Sequence, residues 1–338
     1  MKQNIKKIKY TAIKIFNTKK SKTLVKVVKN NFLDLTQIEK NHVVIKVKYS
    51  NLNYKDFLMS KGHSGLIKNY PHTPGIDASG IIFFSNSRKF KKNQKVYVIA
   101  KPLGVEKDGA FAEYITVPDY WVENMPKFTN EKEIISLGTS GFTAMRALEK
   151  SYNIISRNKN KSVLVNGATG NVGIILICLL KNLNTKIEVV TSNMKNVSVL
   201  KKMGVQKVHI LEKFYKVPNF AMLNEKYSVI FDNLGGDMIS ISSRFLIKKG
   251  ILISIGNVLG NISKINILPL ILRGISIIGI NTESLNKTQR SRIVGKLKLK
   301  SIKLLIKTKI KTVNLLDISK ILNKKKIDKK FKRYLIKI

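Results

Sequence analysis

The sequence predicts an α/β protein in two parts, a β-rich segment followed by a doubly wound parallel sheet. Three observations predict it. Short β-branched runs bounded by Gly, Pro and Asn fill the first 130 residues, and strands alternate with helices from about Glu131. Between them in importance stands KSVLVNGATGNVG, Lys161 to Gly173, where a glycine turn joins an apolar strand to an apolar helix.

In chain order, the first part offers strands at Val43 to Ser50, Gly80 to Phe84, Lys95 to Ala100 and Ala112 to Val117. The second offers Val163 to Asn166, Ile187 to Thr191, Val229 to Asp232, Ile251 to Ile255 and Ser276 to Ile280. Helical character returns toward the C-terminus, closed by a strand at Tyr334 to Ile338. In the glycine turn, Gly167 allows the tight bend, Gly170 clears the approach of a pyrophosphate, and Gly173 lets helix and strand pack closely. The N–H groups of Thr169, Asn171 and Val172 lie where the helix start attracts phosphate. A dinucleotide site is therefore expected here; a plain glycine loop is the alternative.

Composition narrows the class. A length of 338 residues suggests about two domains, and 43% apolar residues suffice for a core. No apolar run reaches the roughly 18 residues of a membrane span. The basic start, MKQNIKKIKY, lacks the apolar stretch of a signal peptide, so a soluble cytoplasmic protein is expected. The single cysteine, Cys178, excludes an intramolecular disulfide and sits in an apolar helix as a small hydrophobe.

The net charge of +43 invites a nucleic-acid reading. Its lysines, however, are spread through the chain beside abundant Ile and Asn, as in an AT-rich coding sequence. The densest stretch, Lys320 to Ile338, has nine Lys/Arg against Asp328, yet Ile321, Leu322, Ile327, Phe331, Leu335 and Ile336 read as packing residues. A basic nucleic-acid-binding protein with a vestigial nucleotide pocket stays as the competing class, and anionic small molecules gain from steering.

The chain resembles the medium-chain dehydrogenase/reductase superfamily, and within it the zinc-independent YhdH/AcuI branch. The resemblance rests on SNLNYKD (Ser50 to Asp56), PHTPGIDASG (Pro71 to Gly80), GAFAEY (Gly109 to Tyr114), LGTSGFTAM (Leu137 to Met145), the glycine turn, ILRGISIIGI (Ile271 to Ile280) and KRYLIKI (Lys332 to Ile338). It implies a GroES-like catalytic domain over 1–135 and 285–338 and a Rossmann domain over 136–284. It implies NADPH as cofactor and an activated C=C as substrate, in an acyl-CoA such as acryloyl-CoA or in a quinone. It also implies a homodimer joined through Ile265 to Ile280, where an apolar edge strand invites pairing.

Zinc enzymes of this superfamily need a Cys/His/Cys-type site. His42, His63, His72 and His209 are scattered, and after Gly62-His63 stands Ser64 where Glu would follow, so no metal is expected. Without a Lewis acid, reduction of a C=C conjugated to a carbonyl is the easier chemistry. Asn53-Tyr54-Lys55-Asp56 is the expected catalytic stretch. By resemblance Tyr54 contacts the nicotinamide and could donate a proton, while Asn53 and Asp56 could order the site by hydrogen bonds. Their structural alternatives are a half-buried ring for Tyr54 and a cap on a helix at Phe57 to Met59 for Asp56.

Thr139 and Thr143 could reach the nicotinamide or its phosphates, or Thr139 could cap a helix. After the second strand of the Rossmann part, Thr191-Ser192-Asn193-Met194-Lys195 carries no carboxylate to hold a ribose 2′-OH, which favours NADP. The resembled branch has Arg where Asn193 stands, and Lys195 substitutes as a point charge. Glu188, 21 residues after Gly167, competes as a ribose ligand but falls inside the strand and reads as a sheet-face residue. Asn257, Ile271, Thr282 and Arg333 complete the expected cofactor contacts by matching motif, Arg333 alternatively being one more solvated charge.

Overall fold

The computed structural model describes residues 6–18, 23–63, 65–324 and 333–338. Expectations placed on residues 1–5, Ser64, Ile327, Asp328 and Phe331 lie outside the described residues. The chain forms two compact units, Met1–Thr139 with Ile306–Ile338, and Ser140–Leu305.

The first unit opens with an antiparallel pair, β1 (Lys7–Asn17) and β2 (Thr23–Asp34), that the sequence reading left unassigned. Ile13 and Ile15 of β1 and Val25 of β2 pack with Phe111, Ile318 and Ile336. Next come β3 (His42–Asn51), α1 (Tyr54–Ser60), β4 (Ala78–Ser85), β5 (Lys95–Val98), β6 (Tyr114–Pro118) and β7 (Glu123–Asn124). In β3 the residues Val43, Ile45 and Val47 turn inward while Lys46 and Lys48 stay exposed, the alternation of a sheet with one wet face. Helix α2 (Glu131–Arg157) is two helical segments joined at Gly138, which has φ +53° and ψ −166°.

The second unit carries β8 (Ser162–Val165), α3 (Asn171–Lys181), β9 (Lys186–Thr191), α4 (Val197–Lys202), β10 (Lys207–Ile210), α5 (Leu211–Phe214) and β11 (Tyr227–Asp232). It continues with α6 (Asp237–Ser243), β12 (Leu246–Ser254), α7 (Leu268–Arg273), β13 (Ser276–Gly279) and α8 (Lys287–Gly295). The six strands run parallel in the order β10-β9-β8-β11-β12-β13. Counting from β8, this is the 3-2-1-4-5-6 order of a doubly wound Rossmann sheet, whose order reverses between β8 and β11. All six residues of β11 are buried, as a strand covered on both faces requires.

After α9 (Lys300–Lys309) the chain adds β14 (Ile310–Asn314), α10 (Leu315–Asn323) and β15 (Arg333–Lys337). These strands extend the first unit's sheet, ordered β14-β15-β3-β4-β5-β7, with β6 paired to β3. The passage back to the first unit falls at Ile306, later than the expected 285. Helix α8 stays with the second unit because Arg290 places its guanidinium 4.9 Å from the Phe142 ring centre and Ile293 is buried.

Candidate functional site

In the second unit, the glycine turn sits at the carboxyl ends of β8 and β11, the position where open α/β sheets bind ligands. Gly167 has φ +58°, a left-handed conformation that a side chain would strain. A Cβ on Gly173 would stand 2.6 Å from the Gly167 carbonyl oxygen, so only glycine brings α3 this close to the turn. Gly170 is the residue before the helix, and α3 directs its N-terminal dipole at the turn.

A buried polar web fixes this turn to β11. Asn166 Nδ2 donates to Asp232 Oδ1, Asn233 N donates to Asn166 Oδ1 (2.7 Å), and Asn233 Nδ2 donates to the Asn166 carbonyl (2.8 Å). Burial pushes the Asp232 carboxyl above its usual range, while Asn166 and the N–H groups of Gly235 and Leu234 pull it down. Asn233 Oδ1 is buried at the same crevice and has no hydrogen-bond partner among the described residues. An orphaned acceptor beside a glycine turn, at the head of a helix, fits a dinucleotide whose phosphates meet the helix and whose hydroxyls donate.

The expected cofactor residues that follow β9, β12 and β13 fall at the same carboxyl end of the sheet. Thr191 is buried at the end of β9, its Oγ1 accepting from Asn193 N (3.3 Å), and Asn193 Oδ1 accepts from Lys195 N (3.0 Å). Ser192 and Lys195 are exposed there, as is Asn257 beyond β12, and half-buried Thr282 follows β13. Half-buried Thr143 lies on α2. Ile271 is on α7, between two strands rather than at a strand end, and is 66% exposed.

Glu188 is engaged elsewhere. Its Oε2 accepts from His209 Nε2 (2.7 Å), Lys226 Nζ (2.6 Å) and Tyr227 Oη (3.0 Å), on a face shared by β9, β10 and β11. Those donors outweigh its burial and hold its carboxyl down at about 2. It is a sheet-face carboxylate.

In the first unit, the Asn53 to Asp56 stretch is built around two buried carboxylates. Asn53 precedes α1, and its backbone N–H donates to Asp56 Oδ2 (2.8 Å), so Asp56 braces the helix start from its third residue. Helix α1 begins at Tyr54, earlier than the expected Phe57, and Asn53 rather than Asp56 holds the cap position. Gly75 N donates to Asp56 Oδ1 (2.9 Å). Burial, and the Asp77 charge after it, push the Asp56 carboxyl up to about 7 against the N–H donors of Asn53, Gly75 and Ile76.

Asp77, which sequence reasoning did not single out, gathers the rest. It accepts from Thr139 N (2.9 Å), Thr139 Oγ1 (2.5 Å) and Asn53 Nδ2 (3.0 Å). Asn51 Oδ1 also accepts from Asn53 Nδ2 (2.8 Å), and Asn51 Nδ2 donates to the Ile135 carbonyl (2.9 Å). Thr139 Oγ1 further accepts from Ala100 N (3.1 Å), so its hydroxyl is turned to the first unit's interior rather than to capping. A Cβ on Gly138 would crowd Asn51 Nδ2 and stand 2.7 Å from Asp77 Oδ2. Arg333 is buried, not a solvated charge, and its Nη2 donates to the Leu137 carbonyl (3.3 Å). The signal for Asp77 lay inside PHTPGIDASG: an acid set among Gly, Ile and Ala, directly before a buried strand, must be hydrogen-bonded. Above this web Tyr54 is 41% exposed at the first position of α1.

Among the described residues, no three His, Cys, Asp or Glu side chains form a group that could hold a metal ion. Cys178 is buried in α3. No helix among the described residues is long and apolar enough to cross a membrane.

Residues 39–127 match the alcohol dehydrogenase GroES-like domain family, and residues 171–294 match the zinc-binding dehydrogenase family. The chain is 34% identical to the putative quinone oxidoreductase YhfP of Bacillus subtilis over 72% of its length and 74% of that protein's. It is 26% identical to the acrylyl-CoA reductase AcuI of Ruegeria pomeroyi over 74% of its length and 76% of that protein's. The crystal structure of Bacillus subtilis YhfP with NAD bound matches with a TM-score of 0.87 at 26% identity, over 98% of this chain and all (100%) of that one. The Salmonella enterica YhdH oxidoreductase in complex with NADP shares the fold with a TM-score of 0.86 at 23% identity, over 97% and 99% of the two chains.

The first unit's carboxylates set a pH dependence. The folded chain keeps a proton on Asp56 that the unfolded chain releases above its ordinary 3.8, so the folded state binds more protons between that value and about 7. Stability from this group is full at low pH and fades as pH rises through about 7. Asp56→Asn, neutral throughout, should flatten this part of the profile in thermal unfolding. A native midpoint that climbs relative to the variant's across this window contradicts the assignment.

Proposed function

The chain belongs to the YhdH/AcuI quinone oxidoreductase family of the medium-chain dehydrogenase/reductase superfamily, and on that footing we propose that it reduces the activated C=C of a small 2-enoyl-CoA such as acryloyl-CoA with NADPH. The observation that carries this reading is Tyr54 at the start of α1, an exposed phenol whose backbone is pinned from below by the Asp56 and Asp77 web. Such a phenol suits proton donation to a substrate carbon. The acrylyl-CoA reductase AcuI among its relatives supports the substrate class, and a +43 chain attracts the phosphates of an acyl-CoA.

NADPH, when bound, supplies hydride for the β-carbon of the enone. Gly167, Thr169, Gly170, Asn171, Val172 and Gly173 would hold its pyrophosphate, and Thr191, Ser192, Asn193 and Lys195 its adenosine ribose. Asn257, Thr282 and Arg333 are further proposed contacts, with Thr139, Thr143 and Ile271 as motif-based assignments. Tyr54 Oη gives its proton to the α-carbon, where the carbonyl has drawn the charge, and Asn53 and Asp56 hold the start of α1 in place. Reduction of a quinone is the second reading, favoured by the 34% identity to YhfP. NADPH oxidation assayed against acryloyl-CoA, longer 2-enoyl-CoAs and quinones separates the two: saturable turnover of acryloyl-CoA is expected, and turnover of quinones alone overturns the first reading.

We also propose a homodimer. Strand β13 ends the sheet, and Ile262, Ile267, Ile271 and Leu272 beside it are more than half exposed. An open apolar edge of this kind pairs readily with a second copy. Light scattering at micromolar concentration should give twice the chain mass; a single-chain mass contradicts the proposal.

Two substitutions test the residue roles. Tyr54→Phe keeps the ring and removes the hydroxyl, so kcat should fall at least about tenfold, the lower part of what general acid assistance contributes, with NADPH affinity little changed. Full kcat in this variant would make water the proton source. Because no carboxylate accompanies Lys195 in the Thr191 to Lys195 segment, NADPH should bind more tightly than NADH, and Lys195→Glu should abolish or reverse that order in fluorescence titrations. Equal affinities in the native protein would mean that another residue reads the ribose.

A further inference from the structure

Away from the glycine turn and Tyr54, a groove of about 280 Å³ opens between α2 and α8, wholly within the second unit. Each helix lines it with residues three and four positions apart, so the groove is a designed-in face of both helices rather than an accident of one loop. Met145 and Ile293, 4% and 5% exposed, make an apolar floor with Leu148. Tyr152, 49% exposed, stands along it as a flat wall.

The rim is cationic. Arg292 and Lys296 project from successive turns of α8 and the residue that ends it. The one carboxylate there, Glu149, already holds Arg146 Nη1 at 2.6 Å and lies 3.9 Å from Arg292 Nη1. Two rim cations, Arg292 and Lys296, against one carboxylate that Arg146 already engages leave the rim with an excess of positive charge. No Asp or Glu occurs between Ser284 and Leu316 to cancel it.

We propose that this groove is a second ligand site, which takes a small aromatic carboxylate. The ring lies on Met145, Leu148 and Ile293 against Tyr152, and the carboxylate meets the fork of the Arg292 guanidinium, with Lys296 as a further point charge. The volume falls just below the usual small-molecule range of about 300–1,000 Å³, which suits one or two fused rings and excludes a dinucleotide. This site stands apart from the proposed reductase activity and does not rest on it.

The probe is 2-naphthoate, titrated calorimetrically into the full chain with saturating NADP present so that the dinucleotide site does not compete. Saturable binding of one naphthoate per chain is expected. Arg292→Gln should weaken it about tenfold, the usual effect of losing a hydrogen bond to a charged group. Tyr152→Ala should weaken it several-fold, and NADPH binding should be unchanged in both variants, which reports that they fold. Inorganic phosphate at the same concentration should not displace the naphthoate. Absence of saturable binding, equal binding by native protein and both variants, or displacement by phosphate at equal concentration would each overturn the proposal.

Discussion

The first unit depends on one fully buried carboxylate, that of Asp77. Two amides, a threonine hydroxyl and a backbone N–H take the place of water around it. An unpaired carboxylate in an apolar interior would cost several kcal/mol, so each donor is held in position by the need to satisfy it. That single requirement explains why the chain needs glycine at 138, threonine at 139 and asparagine at 51 and 53. It also ties the start of α1, which bears Tyr54, to the kink of α2, so a polar floor stands under a partly exposed phenol.

The second unit solves the equivalent problem with backbone. Asp232 receives N–H groups from its own turn and an amide from Asn166, and the turn thereby closes over the strand ends. Here the geometry is set by main chain and glycine, which is why this part of the site was so legible in the sequence. The period of glycines, the β-branched run before them and the apolar helix after them are local signals. They report on local structure, and the strand order follows from alternation and handedness.

Legibility failed where the cause was distant. The β1–β2 pair is rich in lysine, and its inward residues are justified only by Phe111, Ile318 and Ile336, far along the chain. Strands β10 and β14 are four and five residues long and half exposed, so their pairing rather than their composition makes them strands. Asp77 and Asn51 reveal their work only when Thr139 and Asn53 arrive beside them. The motifs containing them were visible; the hydrogen bonds that give those residues a purpose were not. Helix α8 likewise reads as a charged surface helix until Phe142 is placed under Arg290.

The convergence of His209, Lys226 and Tyr227 on one oxygen of Glu188 has a bearing on how this protein can change over time. Stability of the sheet is invested in a carboxylate three residues upstream of the segment proposed to hold the ribose. Variation in Thr191 to Lys195 therefore leaves that investment intact, whereas variation at Glu188 takes the acceptor from buried Tyr227 and half-buried Lys226 together. On the proposed assignment, coenzyme preference and fold stability rest on different residues, the first on the segment at and beyond the end of β9 and the second on Glu188 within it, so the first can drift without endangering the second.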